Sequence, residues 1–115
     1  MPVTHKILLI GACIAAAACN NGEEGTDTGT EPTRTETIAA LTADEAAGMA
    51  IYDENCALCH GADGTGGIGS DLTASAFNET ESIDIVIEGE GSMPAFGNDL
   101  TDQEIKDVVA YTLTF

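Results

Sequence analysis

The tightest constraint in this 115-residue chain is five residues long: Cys56-Ala57-Leu58-Cys59-His60. On one helical turn residues i and i+3 share a side, so the two thiols face together and His60 follows at once. Four chemistries use such a pair. A disulfide suits an exported chain. A redox dithiol calls for a βαβ context, and residues 40–80 show none. Zinc requires about two more ligands, yet beyond the amino-terminal stretch the chain has no other Cys and no other His. The fourth chemistry is covalent haem attachment, in which both thiols add to the vinyl groups of one haem and the adjacent imidazole reaches the iron. The run C-x-x-C-H predicts this last outcome, with Cys56 and Cys59 as thioether carriers and His60 as proximal ligand.

Length and charge set the outer bounds. The chain allows one small domain. Its formal net charge is −17, from 20 acids against Lys6, Arg34 and Lys106. Nucleic acid is excluded as a partner, because neutralising phosphates takes Lys and Arg that are absent. Anionic headgroups repel such a surface, so any membrane attachment must be hydrophobic or covalent. The acidity fits either solubility in high salt or steering toward a basic partner.

Residues 1–18 read as an export signal of the lipoprotein type. A short start ends in Lys6, an apolar run follows from Ile7 to Ala18, and small residues precede Cys19. About a dozen residues are too few to cross roughly 30 Å of hydrocarbon as a helix. Ala16-Ala17-Ala18-Cys19 resembles a bacterial lipobox, with Ala where leucine is usual, which makes Cys19 the expected lipidation site. Ile10-Gly11-Ala12-Cys13 is the rival, behind a shorter apolar run, and simple cleavage to a soluble periplasmic protein is the other alternative. With Cys13 removed, Cys19 lipidated and Cys56 and Cys59 on haem, no thiol is left for a disulfide.

Residues 19–41 are expected to form a flexible acidic linker. From Asn20 to about Ala40 the chain has almost no large apolar residue, too little to offset the entropy of ordering. About 21 residues span about 25 Å as a coil and about 70 Å at full stretch. The folded domain is expected over 42–115. Thr42-Ala43-Asp44-Glu45 is a capping-box pattern that predicts a helix over 43–55 with Thr42 as its cap. On it Gly48, Tyr52 and Cys56 fall four apart and share a face. Gly48, costly in a helix, predicts the close approach of another backbone, and Met49 is expected to pack in the core.

Gly61 to Gly69 is a glycine-rich loop. It contains Gly64, Gly66 and Gly69 in the G-x-G-x-x-G order, but dinucleotide binding needs that pattern after a strand, and here it follows a helix. A backbone passing tightly beside a flat cofactor is the better account. Asp63 and Asp71 are too widely set for a calcium loop. Ile83, Val86 and Ile87 make one face of a short helix between Asn78 and Gly89. Glu88 and Glu90, with glycines around them, read as solvated rather than as a catalytic pair.

Gly91-Ser92-Met93-Pro94 carries the one Met downstream of the attachment run. Pro94 stiffens the backbone beside it, and a thioether suits haem iron opposite His, so Met93 is the expected second axial ligand. A second capping box, Thr101-Asp102-Gln103-Glu104, predicts a helix over 102–113 that buries Ile105, Val108 and Val109, with Thr112 or Leu113, and turns Lys106 to solvent.

Taken together, residues 42–113 resemble a small class I bacterial cytochrome c. The resemblance rests on Gly48-x-x-x-Tyr52-x-x-x-Cys56, the Cys56 to Gly61 run, Gly91-Ser92-Met93-Pro94 and a terminal helix carrying Tyr111. It implies an all-α fold whose first and last helices cross near Gly48 and Tyr111. It also implies one haem c on Cys56 and Cys59, with His60 and Met93 as axial ligands of the iron. The family often has Gly-Pro-x-Leu after the glycine loop. Here Gly69-Ser70-Asp71-Leu72 stands there, which leaves the Ser70 carbonyl to receive the proximal His N–H.

The expected function is one-electron transfer, not enzymatic turnover, by a domain tethered to a membrane in the periplasm or cell envelope. Its partners would be redox proteins with a basic docking patch, with no small-molecule substrate. A haem-based gas sensor and a haem subunit of a multi-chain dehydrogenase or oxidase are the rival readings. A peroxidase needs a distal base that the mature chain lacks. About 75 ordered residues without Trp make a marginal core, so the haem-free domain is expected to be largely unfolded.

Overall fold

The computed structural model describes residues 30–115, and Pro32–Phe115 form one compact unit. The expected export signal, Cys13, Cys19 and most of the expected linker lie outside the described residues. The unit is helical, in keeping with the all-α expectation. α1 covers Arg34–Ala39, α2 Glu45–Asn55, α3 Ala57–His60, α4 Glu79–Glu88 and α5 Asp102–Thr112. Among the described residues, no helix is long and apolar enough to cross a membrane.

α5 is the axis of the fold. Five consecutive residues, Ile105 to Val109, are buried, which a helix touched on one side cannot achieve. On one side Ile105 and Val109 join Ile38 of α1 and Ile83 of α4. On the other, Val108 joins Ile51 and Tyr52 of α2. The expected crossing of α2 and α5 is present and close. A Cβ on Gly48 would sit 2.0 Å from the Asp107 carbonyl oxygen and 3.0 Å from Tyr111 Cβ, so only glycine lets the two backbones meet there. Tyr52, Tyr111 and Phe115 close that side edge to face, with ring centroids 5.2–5.5 Å apart, the arrangement their quadrupoles favour.

The structure departs from the expectations in four places, two of them boundaries and two of them burial. The folded unit starts at Pro32 rather than at residue 42. Residues 34–39 are helical, with a capping box between Thr33 and Glu36, and Ile38 is fully buried. One isoleucine driven into a pocket between two helices orders a stretch whose average composition is polar. The cap of α2 is Asp44, not Thr42. The Asp44 carboxylate accepts from the Ala46 and Ala47 amides, while its own N–H donates to Asp107 Oδ1 at 2.8 Å. Lys106 is buried rather than solvated: its Nζ donates to Glu79 Oε1 at 2.7 Å and to the Ala39 carbonyl at 2.8 Å. The face expected to meet water is covered by α1. Met49, expected in the core, is instead 47% exposed, because the α2 face turned to α5 is the one bearing Gly48, Ile51 and Tyr52.

Candidate functional site

The attachment run sits where α2 ends. Cys56 closes α2, its N–H donating to the Tyr52 carbonyl, and α3 carries the other three positions on one turn. The amides of Cys59 and His60 both donate to the Cys56 carbonyl, at 3.1 and 2.9 Å. The turn is pinned from behind by Tyr52, whose hydroxyl donates to the Gly61 carbonyl at 2.7 Å. Burial pushes the Tyr52 hydroxyl up to about 12, which keeps it a neutral donor across the physiological range.

The glycine loop folds back onto this turn. Gly69 N–H donates to the Cys59 carbonyl and Gly66 N–H to the His60 carbonyl, each at 2.7 Å. Gly69 lies flat against the imidazole: a Cβ there would be 2.9 Å from His60 Cε1. His60 Nδ1 is 2.9 Å from the Ser70 carbonyl oxygen. A carbonyl accepts only, so Nδ1 holds the proton and Nε2 keeps the lone pair that can bind a metal. The backbone of Ser70 therefore does what the family's proline carbonyl does. Asp63 and Asp71 each accept a hydrogen bond in their own turns, from Thr65 and Thr73.

Met93 stands in the loop between α4 and α5. A two-way backbone bridge joins Glu90 and Met93, and the loop is tied to α4 by Phe96 N–H to the Val86 carbonyl at 2.8 Å and Gly97 N–H to the Ile87 carbonyl at 3.1 Å. Cys56, Cys59, His60 and Met93 all line one cavity of about 690 Å³. The Leu72, Val86, Phe96 and Val108 side chains share its wall, and Ile68, 82% exposed, and Phe77, 48% exposed, stand at it without protein cover. Apolar side chains left bare beside a thiol pair and an oriented imidazole fit a large flat apolar cofactor. Burial, with Cys59 adding to it, pushes the Cys56 thiol up to about 11. That environment disfavours a thiolate and accepts a neutral sulfur, which a thioether is. Among the described residues no group of three or more His, Cys, Asp or Glu is placed to hold a bare metal ion.

Two parts of this region were not foreseen. Arg34 of α1 reaches the Met93 loop, with Nη1 donating to the Gly97 carbonyl at 2.8 Å and Nε to Asp102 Oδ1 at 2.8 Å. Phe115 packs with Tyr52 and Tyr111 and also lines the cavity. The capping pattern Thr33-x-x-Glu36 was a readable sign of α1; nothing in the local sequence marked Phe115.

Comparison with known proteins agrees with this geometry. Residues 43–111 match the family described as cytochrome c oxidase, cbb3-type, subunit III. The chain is 37% identical over 84 residues to cytochrome c6 of Thermosynechococcus vestitus, covering 67% of this chain and 75% of that protein. It is 40% identical over 79 residues to cytochrome c6 of Leptolyngbya boryana, covering 62% and 92%. The solved structure of cytochrome c6 from the diatom Phaeodactylum tricornutum superposes with a TM-score of 0.57 at 36% identity, covering 63% of this chain and 93% of that one. With the helical crossing, the attachment turn and the cavity in place, the chain belongs to the class I monohaem cytochromes c, electron carriers rather than enzymes, and it binds one haem c covalently through Cys56 and Cys59.

Proposed function

We propose that this cytochrome is a membrane-tethered one-electron carrier whose iron is held between His60 and Met93. The supporting observation is the shared cavity, lined by the two thiols, the imidazole and the thioether together. When bound, haem supplies a one-electron ferric–ferrous couple. The chain's own residues do the rest. Ser70 fixes the His60 tautomer so that Nε2 is the ligating atom. Met93 offers a soft neutral sulfur, which favours the reduced metal and raises the potential. Leu72, Phe96 and Val108 give the cavity an apolar wall. His60 and Met93 would both hold the haem iron, which would leave it no site for a substrate.

The tether is Cys19, lipidated after export, followed by the acidic stretch up to Glu31. Redox partners are proteins with a basic patch, because Arg34 and Lys106, the only Lys or Arg among the described residues, are both held in ion pairs. A second reading, a haem subunit seated in a larger oxidase, is favoured by the description of the matched family.

The deciding experiment is the optical spectrum of the periplasmically expressed holoprotein, oxidised, then reduced, then exposed to carbon monoxide. The weak far-red band of a Met–ferric bond, with reduced bands that carbon monoxide leaves unchanged, is the expected result. Its absence, with ready carbon monoxide binding, would remove Met93 as a ligand and put the gas-sensing reading first. For the tether, Cys19→Ser should release the protein from the membrane fraction, and release by Cys13→Ser instead would move the anchor.

A further inference from the structure

α1 lies outside the residues that match the family, which begin at residue 43, yet both cations of the folded unit are used on it. At its amino-terminal end Arg34 forks between Asp102 and the Gly97 carbonyl. At its carboxy-terminal end Lys106 donates to the Ala39 carbonyl. Between them Ile38 is 0% exposed, packed with Ile83, Ile105 and Val109, and Thr35 hydrogen-bonds Asp84 of α4.

We infer that α1 is a strut for the axial-ligand loop, and that Arg34 is a positioning residue for Met93, acting through the Gly97 carbonyl. The inference rests on the proposed ligation by Met93. Gly97 lies in the loop between α4 and α5, four residues after Met93. Its N–H is held by α4 and its carbonyl by α1, so both polar groups of that one residue are fixed by different helices. Arg34 and Asp102 are 41% and 44% exposed, and an isolated pair of that kind contributes little. What gives this one leverage is the guanidinium fork, which binds a carboxylate and a carbonyl at once, on a helix that its buried isoleucine keeps from swinging away. The segment that links the proposed anchor to the domain is thereby coupled to the sulfur that sets the iron's second ligand.

The test uses holoprotein, with Arg34→Ala and Arg34→Lys beside the wild type. The first readout is amide hydrogen exchange at Phe96 and Gly97, referenced to Val108 and Val109 in α5. Arg34→Ala should speed exchange at the loop amides by about fivefold, the size of one exposed hydrogen bond of ordinary strength, with the α5 amides unchanged. Arg34→Lys keeps the charge beside Asp102 but not the fork, so its loop amides should exchange nearly as fast as in Arg34→Ala. The second readout is carbon monoxide binding to the ferrous protein, which should accelerate in the same order as loop exchange. Unchanged loop exchange, equal acceleration in loop and α5, or full rescue by lysine would each overturn the inference. A wild type without the far-red band would instead sink Met93 ligation, and the exchange readout would still decide whether Arg34 holds the loop.

Discussion

The two sides of α5 are built on different principles. On the α2 side the contact is backbone against backbone at Gly48, sealed by the ring cluster of Tyr52, Tyr111 and Phe115. On the α1 side the contact is one isoleucine plug with a cation at each end. The first arrangement tolerates no added atom. The second is modular, a peripheral helix held by a few replaceable side chains. Close packing is where the attachment turn sits, and the adaptable contact is where the chain leaves for its amino-terminal segment.

Four results would break or sharpen this contrast. The largest effect belongs to the cofactor: Cys56→Ser with Cys59→Ser, expressed without haem attachment, should show no cooperative thermal transition, because the apolar cavity wall then lacks a partner. A sharp transition in that protein would mean the helices hold each other unaided. Next is Gly48→Ala, which should cost about 3 kcal/mol or more in chemical denaturation, since the methyl group meets the Asp107 carbonyl and neither backbone can retreat. Ile38→Ala should cost about 2 kcal/mol, at the low end for a buried isoleucine, because α1 can move inward over the gap. An unchanged denaturation midpoint would return residues 34–39 to the expected linker.

The smallest effect concerns the capping boxes. Glu36 and Glu104 accept hydrogen bonds from the Thr33 and Thr101 backbone amides and hydroxyls, which holds both carboxyls below the usual range. A depressed folded value means the contribution is complete above the unfolded pKa, and is lost as pH falls through the folded one. Stability should therefore be level near neutrality and decline only in acid. Glu36→Gln and Glu104→Gln should flatten that decline slightly. A loss already under way between pH 6 and 7 would point to another group.

Much of the site was legible because its chemistry is local. Cys56, Cys59 and His60 are neighbours, and Gly48 and Tyr52 stand at fixed helical spacing from them, so a linear pattern carries the geometry. The Ser70 carbonyl was also anticipated, because Ser70 stands where the resembling family often has proline. α1 was missed because composition is averaged over a window, while burial acts on single side chains: Ile38 alone decides the fate of that helix, within a stretch of Thr and Glu. Lys106 was misplaced for a linked reason. Its face is solvent only if nothing covers α5 there, and the cover comes from residues read as linker. The Asp44 cap depends on Asp107, 63 positions along the chain, a pairing that no local motif encodes.

Leu100 packs against both apolar clusters, and α5 supplies the core of each. Neither half of the domain can melt while the other stays intact, because each would lose the same wall. The unit should behave as a single cooperative foldon, with slow exchange shared by Ile51, Ile83 and Val109 rather than graded between them. For an electron carrier that matters beyond stability. A helical core that opens all at once or not at all spends almost no time with one half parted from the other, so the wall it gives the cofactor stays whole and its reorganisation on gaining or losing an electron stays small.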